Sequence, residues 1–162
     1  MSDAITDTIV RFLGSIGLEV RGGPVADGTP LPGITVSEGA IVVDHEKLLY
    51  PGDLLHEAGH LAMLPAAVRA LPQKLESPGD EMASIAWSYA AALHLGIDPA
   101  DVFHEHGYRG DSAMILENFG QGHTFGVPML AWYGLTHERR PNTVAGPDDP
   151  PTYPVMQRWL RE

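Results

Sequence analysis

Pro51-Gly52-Asp53-Leu54-Leu55-His56-Glu57-Ala58-Gly59-His60-Leu61-Ala62-Met63-Leu64 is the stretch on which the reading of this 162-residue chain turns. Its apolar residues recur at helical spacing. Leu54, Ala58 and Leu61 make one row, and Leu55 and Ala62 make another. Pro51-Gly52-Asp53 opens the segment and Pro65 closes it, which predicts a helix ending at Leu64. On such a helix, residues four apart lie one turn apart on the same face. His56 and His60 can therefore offer two imidazole nitrogens to one ion about 2.0–2.1 Å away. Glu57 lies beside them, where it can take a proton from a metal-bound water. Zinc lowers the pKa of such a water from about 15.7 toward 7, so a carboxylate can serve as its base at neutral pH. By chance, H-E-x-x-H is expected about 0.02 times in a chain of this composition. Gly59 costs the helix about 1 kcal/mol relative to Ala. Its presence points to a close approach by another segment or by a substrate.

A catalytic zinc usually takes three protein ligands and keeps one position open. The chain has no Cys, so the third ligand must be a His or a carboxylate. Downstream, Ser77-Pro78-Gly79-Asp80 predicts a second helix: a Ser cap, Pro at the first position, and an acid three residues after the cap. That helix should run to about Leu95 and stop at Gly96. Glu81 lies in its first turns, beside an apolar stripe of Met82, Ile85, Ala86, Tyr89 and Leu93. A carboxylate in that setting needs a partner, and a metal is one. Asp80 is the alternative third ligand, although an acid at the capping position is already accounted for by the helix start.

With Glu81 on a second helix, the His56-Glu57-Ala58-Gly59-His60 motif resembles the gluzincin branch of the zincin metallopeptidases. The stretch is also similar to a Gly-Asp-Leu-Leu-His-Glu-Ala-Gly-His segment in uncharacterised bacterial proteins, which implies no substrate. The resemblance covers roughly residues 52–90. It implies zinc held by His56, His60 and Glu81, with Glu57 as general base. It also implies a small sheet, at residues 34–43, against which the motif helix packs. After His60 the chain departs from the metzincin pattern, because Leu61-Ala62-Met63 brings no Gly and no third His at that spacing. Asp80 in place of Glu81 would make it resemble the aspzincins. Peptide hydrolysis of this kind also wants a donor for the oxyanion. Tyr108, Tyr89 and His123 are the candidates, two of them in the Gly-flanked stretches Gly107-Tyr108-Arg109-Gly110 and Gly120-Gln121-Gly122-His123.

Working outward, the fold class is α+β: a single, mostly helical, zincin-like domain over residues 1–162 with a small antiparallel sheet near the N-terminal half. Residues 6–16 carry the stripe Ile9, Val10, Phe12, Leu13 and Ile16, capped by Thr6 or Asp7 and ended by Gly17. Leu18–Arg21, Leu31–Val36 and Ala40–Val43 read as strands, the last two joined at Ser37-Glu38-Gly39. A looser stretch follows Pro65 as far as Glu76. Short helices are expected from Asp98-Pro99 to about His104, over residues 111–119 and over residues 127–135. Residues 141–154 are Pro-rich and read as an extended surface segment. Val155–Leu160 should dock back through Met156, Trp159 and Leu160.

Composition narrows the function classes. The net charge is −11, and Arg139-Arg140 is the only dense basic spot, which argues against nucleic acid. The longest uncharged run, between Glu81 and Asp98, is too short and too polar for a membrane span. Met1-Ser2-Asp3-Ala4 lacks the basic start of a secretory signal. The expectation is a cytoplasmic protein acting on a peptide or protein substrate, its oligomeric state left open. The rival is a zincin-fold metal-binding or interaction module without peptidase activity. His104-Glu105-His106 reads as a helix end exposed to water, and His45 and Glu46 as surface residues. His94 reads as a hydrogen-bonded core or boundary residue, and Trp87, Trp132 and Trp159 as packing residues.

Overall fold

The computed structural model describes residues 3–72 and 77–162. The end of the looser stretch, at Glu76, and the first two residues of the chain lie outside them. The class is α+β, with a small three-stranded mixed sheet in the N-terminal half. Helix α1 spans Ala4–Ile16, starting earlier than Thr6 because the Asp3 carboxylate accepts from the Ile5 amide at 2.7 Å. It buries Ile9, Phe12 and Leu13 and ends at Gly17 in the left-handed conformation.

The strands are β1 (Val20–Gly22), β2 (Ile34–Ser37) and β3 (Ala40–Val43), in the order β1-β3-β2. The β2–β3 hairpin forms as expected, with Ser37 opposite Ala40 and both turn residues, Glu38 and Gly39, at positive φ. That is the backbone a two-residue hairpin loop requires. The expectation of a fully antiparallel sheet is overturned: β1 pairs with β3 in parallel, Val20 opposite Ile41. Residues 23–33 carry the chain away from β1 before it enters β2. This lets β1 occupy the free edge of β3 running in the same direction, as parallel strands require a long connection.

Helices α2 (Asp53–Met63) and α4 (Pro78–Leu95) form the centre of the molecule. Leu54, Leu55, Ala58, Leu61 and Ala62 are fully buried on α2, and each large aliphatic side chain so placed stabilises the fold by about 1.5–3 kcal/mol. Short α3 (Ala66–Arg69) follows α2. The Ser77 capping box forms at the start of α4, and Gly96 ends the helix at φ 68°. Helix α5 is shorter than expected, Pro99–Val102, because the chain turns out at Phe103. Beyond it are α6 (Ser112–Gly120) and α7 (Val127–Trp132), the latter stopping before Leu135.

Gly52, just before α2, has no room for a side chain: a Cβ would come within 2.1 Å of the Asp101 carbonyl oxygen. The end of α5 therefore lies directly on the start of α2. The C-terminal segment docks as expected. Met156, Trp159 and Leu160 pack on the core, and the Trp87 indole donates to the Trp159 carbonyl at 2.8 Å. Residues 141–150 are exposed and carry no helix or strand, but the surface segment expected to reach residue 154 is interrupted by Tyr153, which packs on the core and donates from its hydroxyl to the Ala86 carbonyl at 2.8 Å. Trp87 is fully buried, but Trp132 corrects the packing expectation, being 83 % exposed. His94 is exposed too, lying against the rings of Phe12 and Trp159 rather than in the core. Among the described residues no helix is long and apolar enough to cross a membrane.

Candidate metal centre

The helical geometry of α2 brings the two motif imidazoles together. Their Nε2 atoms are 3.1 Å apart. Two nitrogens bound tetrahedrally to one zinc at about 2.05 Å stand about 3.3 Å from each other, so the pair is already spaced as a chelate. Glu81 reaches across from the first turn of α4, with its Oε2 3.8 Å from His60 Nε2. One ligand atom from each of His56, His60 and Glu81 lies within 4.8 Å of the others. Two imidazoles and a carboxylate are a donor set suited to zinc, with a coordination position left open. His60 is largely covered and Glu81 about half exposed, so the group sits on the wall of a cleft rather than inside the core. The cleft has a volume of about 1360 Å³ and is lined by all three residues and by Glu57.

Gly59 explains how α4 comes close enough. A Cβ there would stand 2.9 Å from the Ser84 carbonyl oxygen and 3.0 Å from Ser88 Oγ. The close approach expected at this glycine is made by α4. The buried Ser88 hydroxyl, 3.1 Å from the Leu55 carbonyl and 2.9 Å from that of Ser84, ties the two helices where they cross. The turn of α4 that carries Glu81 is thereby held against the turn of α2 that carries His60.

Asp80, the alternative ligand, is engaged elsewhere. It is buried, closes the capping box with Ser77, and accepts a hydrogen bond from the Tyr133 hydroxyl. Burial and this carboxylate raise the Tyr133 pKa. Adjacent residues on a helix diverge by about 100° around its axis. The cap that draws Asp80 inward therefore turns Glu81 toward His60.

Tyr108 is brought to the site ring first. Its ring stacks on that of His56, with centroids 4.2 Å apart and planes 14° from parallel, and it touches Phe103 at 4.8 Å. The hydroxyl is buried and makes no hydrogen bond of good geometry. Burial pushes its pKa far up, with the Ser88 hydroxyl pulling the other way. Tyr108 thus fixes the plane of the His56 imidazole. His123 is exposed on the cleft wall, in the loop after α6. Tyr89 does not line the cleft and packs against Phe119 instead.

Two features escaped the sequence. His104 is not a water-exposed helix end: its side chain is 13 % exposed, and its Nε2 lies 2.7 Å from Oδ1 of Asp53, which is itself buried. Tyr50 stacks on its other side at 4.0 Å. Desolvation raises the Asp53 pKa, opposed by the bond to His104. The second feature is Arg109, which also lines the cleft. Tyr108, Arg109 and Gly110 have φ of 53°, 56° and 86°, three successive left-handed residues. The two non-glycine residues cost roughly 1–2 kcal/mol each. The flanking glycines were the only sequence signal for this turn.

The chain matches no family model, and no curated protein or solved structure matches it either.

Proposed function

We propose that this protein is a zinc-dependent metallopeptidase of zincin type, hydrolysing a peptide or amide bond of a peptide or protein substrate in the cytoplasm. The observation that carries the proposal is the convergence of His56, His60 and Glu81 within 4.8 Å on the wall of an open cleft that Glu57 also lines. His56 and His60 would hold the ion through their imidazoles, and Glu81 through its carboxylate. Zinc in such a site supplies Lewis acidity and an acidified water at neutral pH. Glu57 accepts the proton of the attacking water at its carboxylate and delivers it to the leaving amine. Tyr108 keeps the His56 ring from rotating out of line. His123, exposed on the same cleft, is the remaining donor for the developing oxyanion.

A second reading is a metal-binding or interaction module with no peptidase activity. It draws on the burial of the Tyr108 hydroxyl, which takes one oxyanion donor out of the cleft. One experiment separates the two. Glu57→Gln is expected to lower peptide hydrolysis by about 10²–10⁴-fold while zinc content stays that of the unsubstituted protein. Activity retained in Glu57→Gln removes the mechanism. Full zinc occupancy without hydrolysis of any peptide in the unsubstituted protein favours the module.

A further inference from the structure

The cleft beside the candidate metal centre is lined by both apolar and charged side chains. Met82 and Met114 are each about half exposed on it, although both are apolar, and Ile85 and Phe125 continue the same surface. Thioether side chains in this position form an adaptable apolar surface. Arg109 also lines the cleft and is the only Lys or Arg among its residues. Arg109 is exposed.

Its backbone is the second observation. Arg109 is held at φ 56° between Tyr108, whose ring lies on His56, and Gly110. Strained residues of this kind concentrate at ligand sites because the surrounding structure holds them for a purpose. Here the same left-handed turn sets the Tyr108 ring on His56, a candidate metal ligand, and carries Arg109 as the next residue. Glu57, Glu81 and Asp111 also line the cleft, and the Arg109 guanidinium is the one permanently charged cation among its lining residues and so the group suited to an anion. A guanidinium matches a carboxylate in two parallel hydrogen bonds.

We infer that the cleft takes the carboxyl end of a peptide. Arg109 pairs with the free C-terminal carboxylate, and the Met82–Met114 wall receives an apolar C-terminal side chain. This rests on the metallopeptidase reading for what happens to the bound peptide, and makes the enzyme an exopeptidase that removes apolar C-terminal residues. The binding claim itself needs neither metal nor turnover.

The test uses metal-free full-length protein and two probes, N-acetyl-Phe-Leu with a free carboxylate and its C-terminal amide, titrated by calorimetry at low salt. The acid is expected to bind at least about 10-fold more tightly than the amide. Arg109→Asn keeps a residue that tolerates left-handed backbone and is expected to bring the acid down to the affinity of the amide. Arg109→Lys is expected to keep part of the preference. Equal binding of acid and amide, no binding of either, or a preference that survives in Arg109→Asn overturns the inference. Zinc uptake and hydrolysis of the same peptides, measured separately on zinc-loaded protein, report on the peptidase reading. A protein that prefers the acid but holds no zinc or cleaves nothing loses the peptidase assignment and keeps the Arg109 site.

Discussion

Helix α2 contributes one residue to each of two histidine–carboxylate groups, Asp53 and His60 about two turns apart, and the groups have opposite characters. Asp53 and His104 are sealed: the carboxylate is 1 % exposed, and the contact is a short 2.7 Å hydrogen bond roofed by the Tyr50 ring. His60 and Glu81 are open: the carboxylate is 53 % exposed and stands 3.8 Å from the imidazole, too far for a hydrogen bond. Each group pairs an imidazole with a carboxylate, Asp in one and Glu in the other, and solvent access and spacing separate them. A buried acid without a partner is costly, so Asp53 and His104 close on each other and fasten α5 to α2. An exposed acid held at a distance from two convergent imidazoles leaves room for an ion between them.

This contrast can be broken by substitution. The largest effect belongs to the open group. His56→Ala or His60→Ala should lower zinc affinity by more than about 100-fold, since even loss of a residue that merely supports a metal ligand costs 10–100-fold. Thermal melting of the metal-free protein should hardly change. A large loss of stability without loss of zinc would place these histidines with the sealed group. Next comes Asp53→Ala, which leaves His104 buried without its partner. It should destabilise the fold by about 2 kcal/mol, or roughly 4–8 °C in Tm, while zinc binding by the folded protein persists.

Gly59→Ala tests the helix crossing that both groups depend on. The added Cβ presses on Ser84 and Ser88. Overpacking of about 1–3 kcal/mol is offset by about 1 kcal/mol of helix propensity, for a net loss near 1 kcal/mol. An unchanged Tm would mean that α4 does not need this glycine.

The smallest effect is one of pH. The Asp53 pKa is raised in the folded protein, first by desolvation, so the folded chain holds this proton more tightly than the unfolded chain does. The contribution to stability is full below the ordinary carboxylate value and is lost as pH rises through the raised pKa. Melting curves should therefore show the protein gaining on its Asp53→Asn variant as pH falls toward 4. A difference that is flat or opposite in sign removes desolvation as the governing cause.

Much of this could be read in advance where local chemistry decides the outcome. The Ser77 cap, the Gly96 stop, the Glu38-Gly39 turn and the docking of Met156, Trp159 and Leu160 each follow from a few adjacent residues. The three candidate ligands could be named because i, i+4 spacing and the lack of Cys left few choices. What could not be read depends on contacts distant in sequence. Side-chain alternation in β1 carries no information about strand direction, so the parallel pairing with β3 was hidden. His104 looked exposed because its partner, Asp53, is 51 residues away, and nothing near His104 requires burial. Tyr108 was recognisable as a site residue. Which end of it faces the cleft depends on a left-handed turn that no single residue type demands.

The central claim is that Glu81 completes a metal site with His56 and His60, and zinc stoichiometry tests it most directly. Elemental analysis of purified, dialysed protein should find about one zinc per chain. Glu81→Ala, handled identically, should fall well below that. Equal zinc in the two proteins, or none in the unsubstituted protein after zinc loading, would contradict the account.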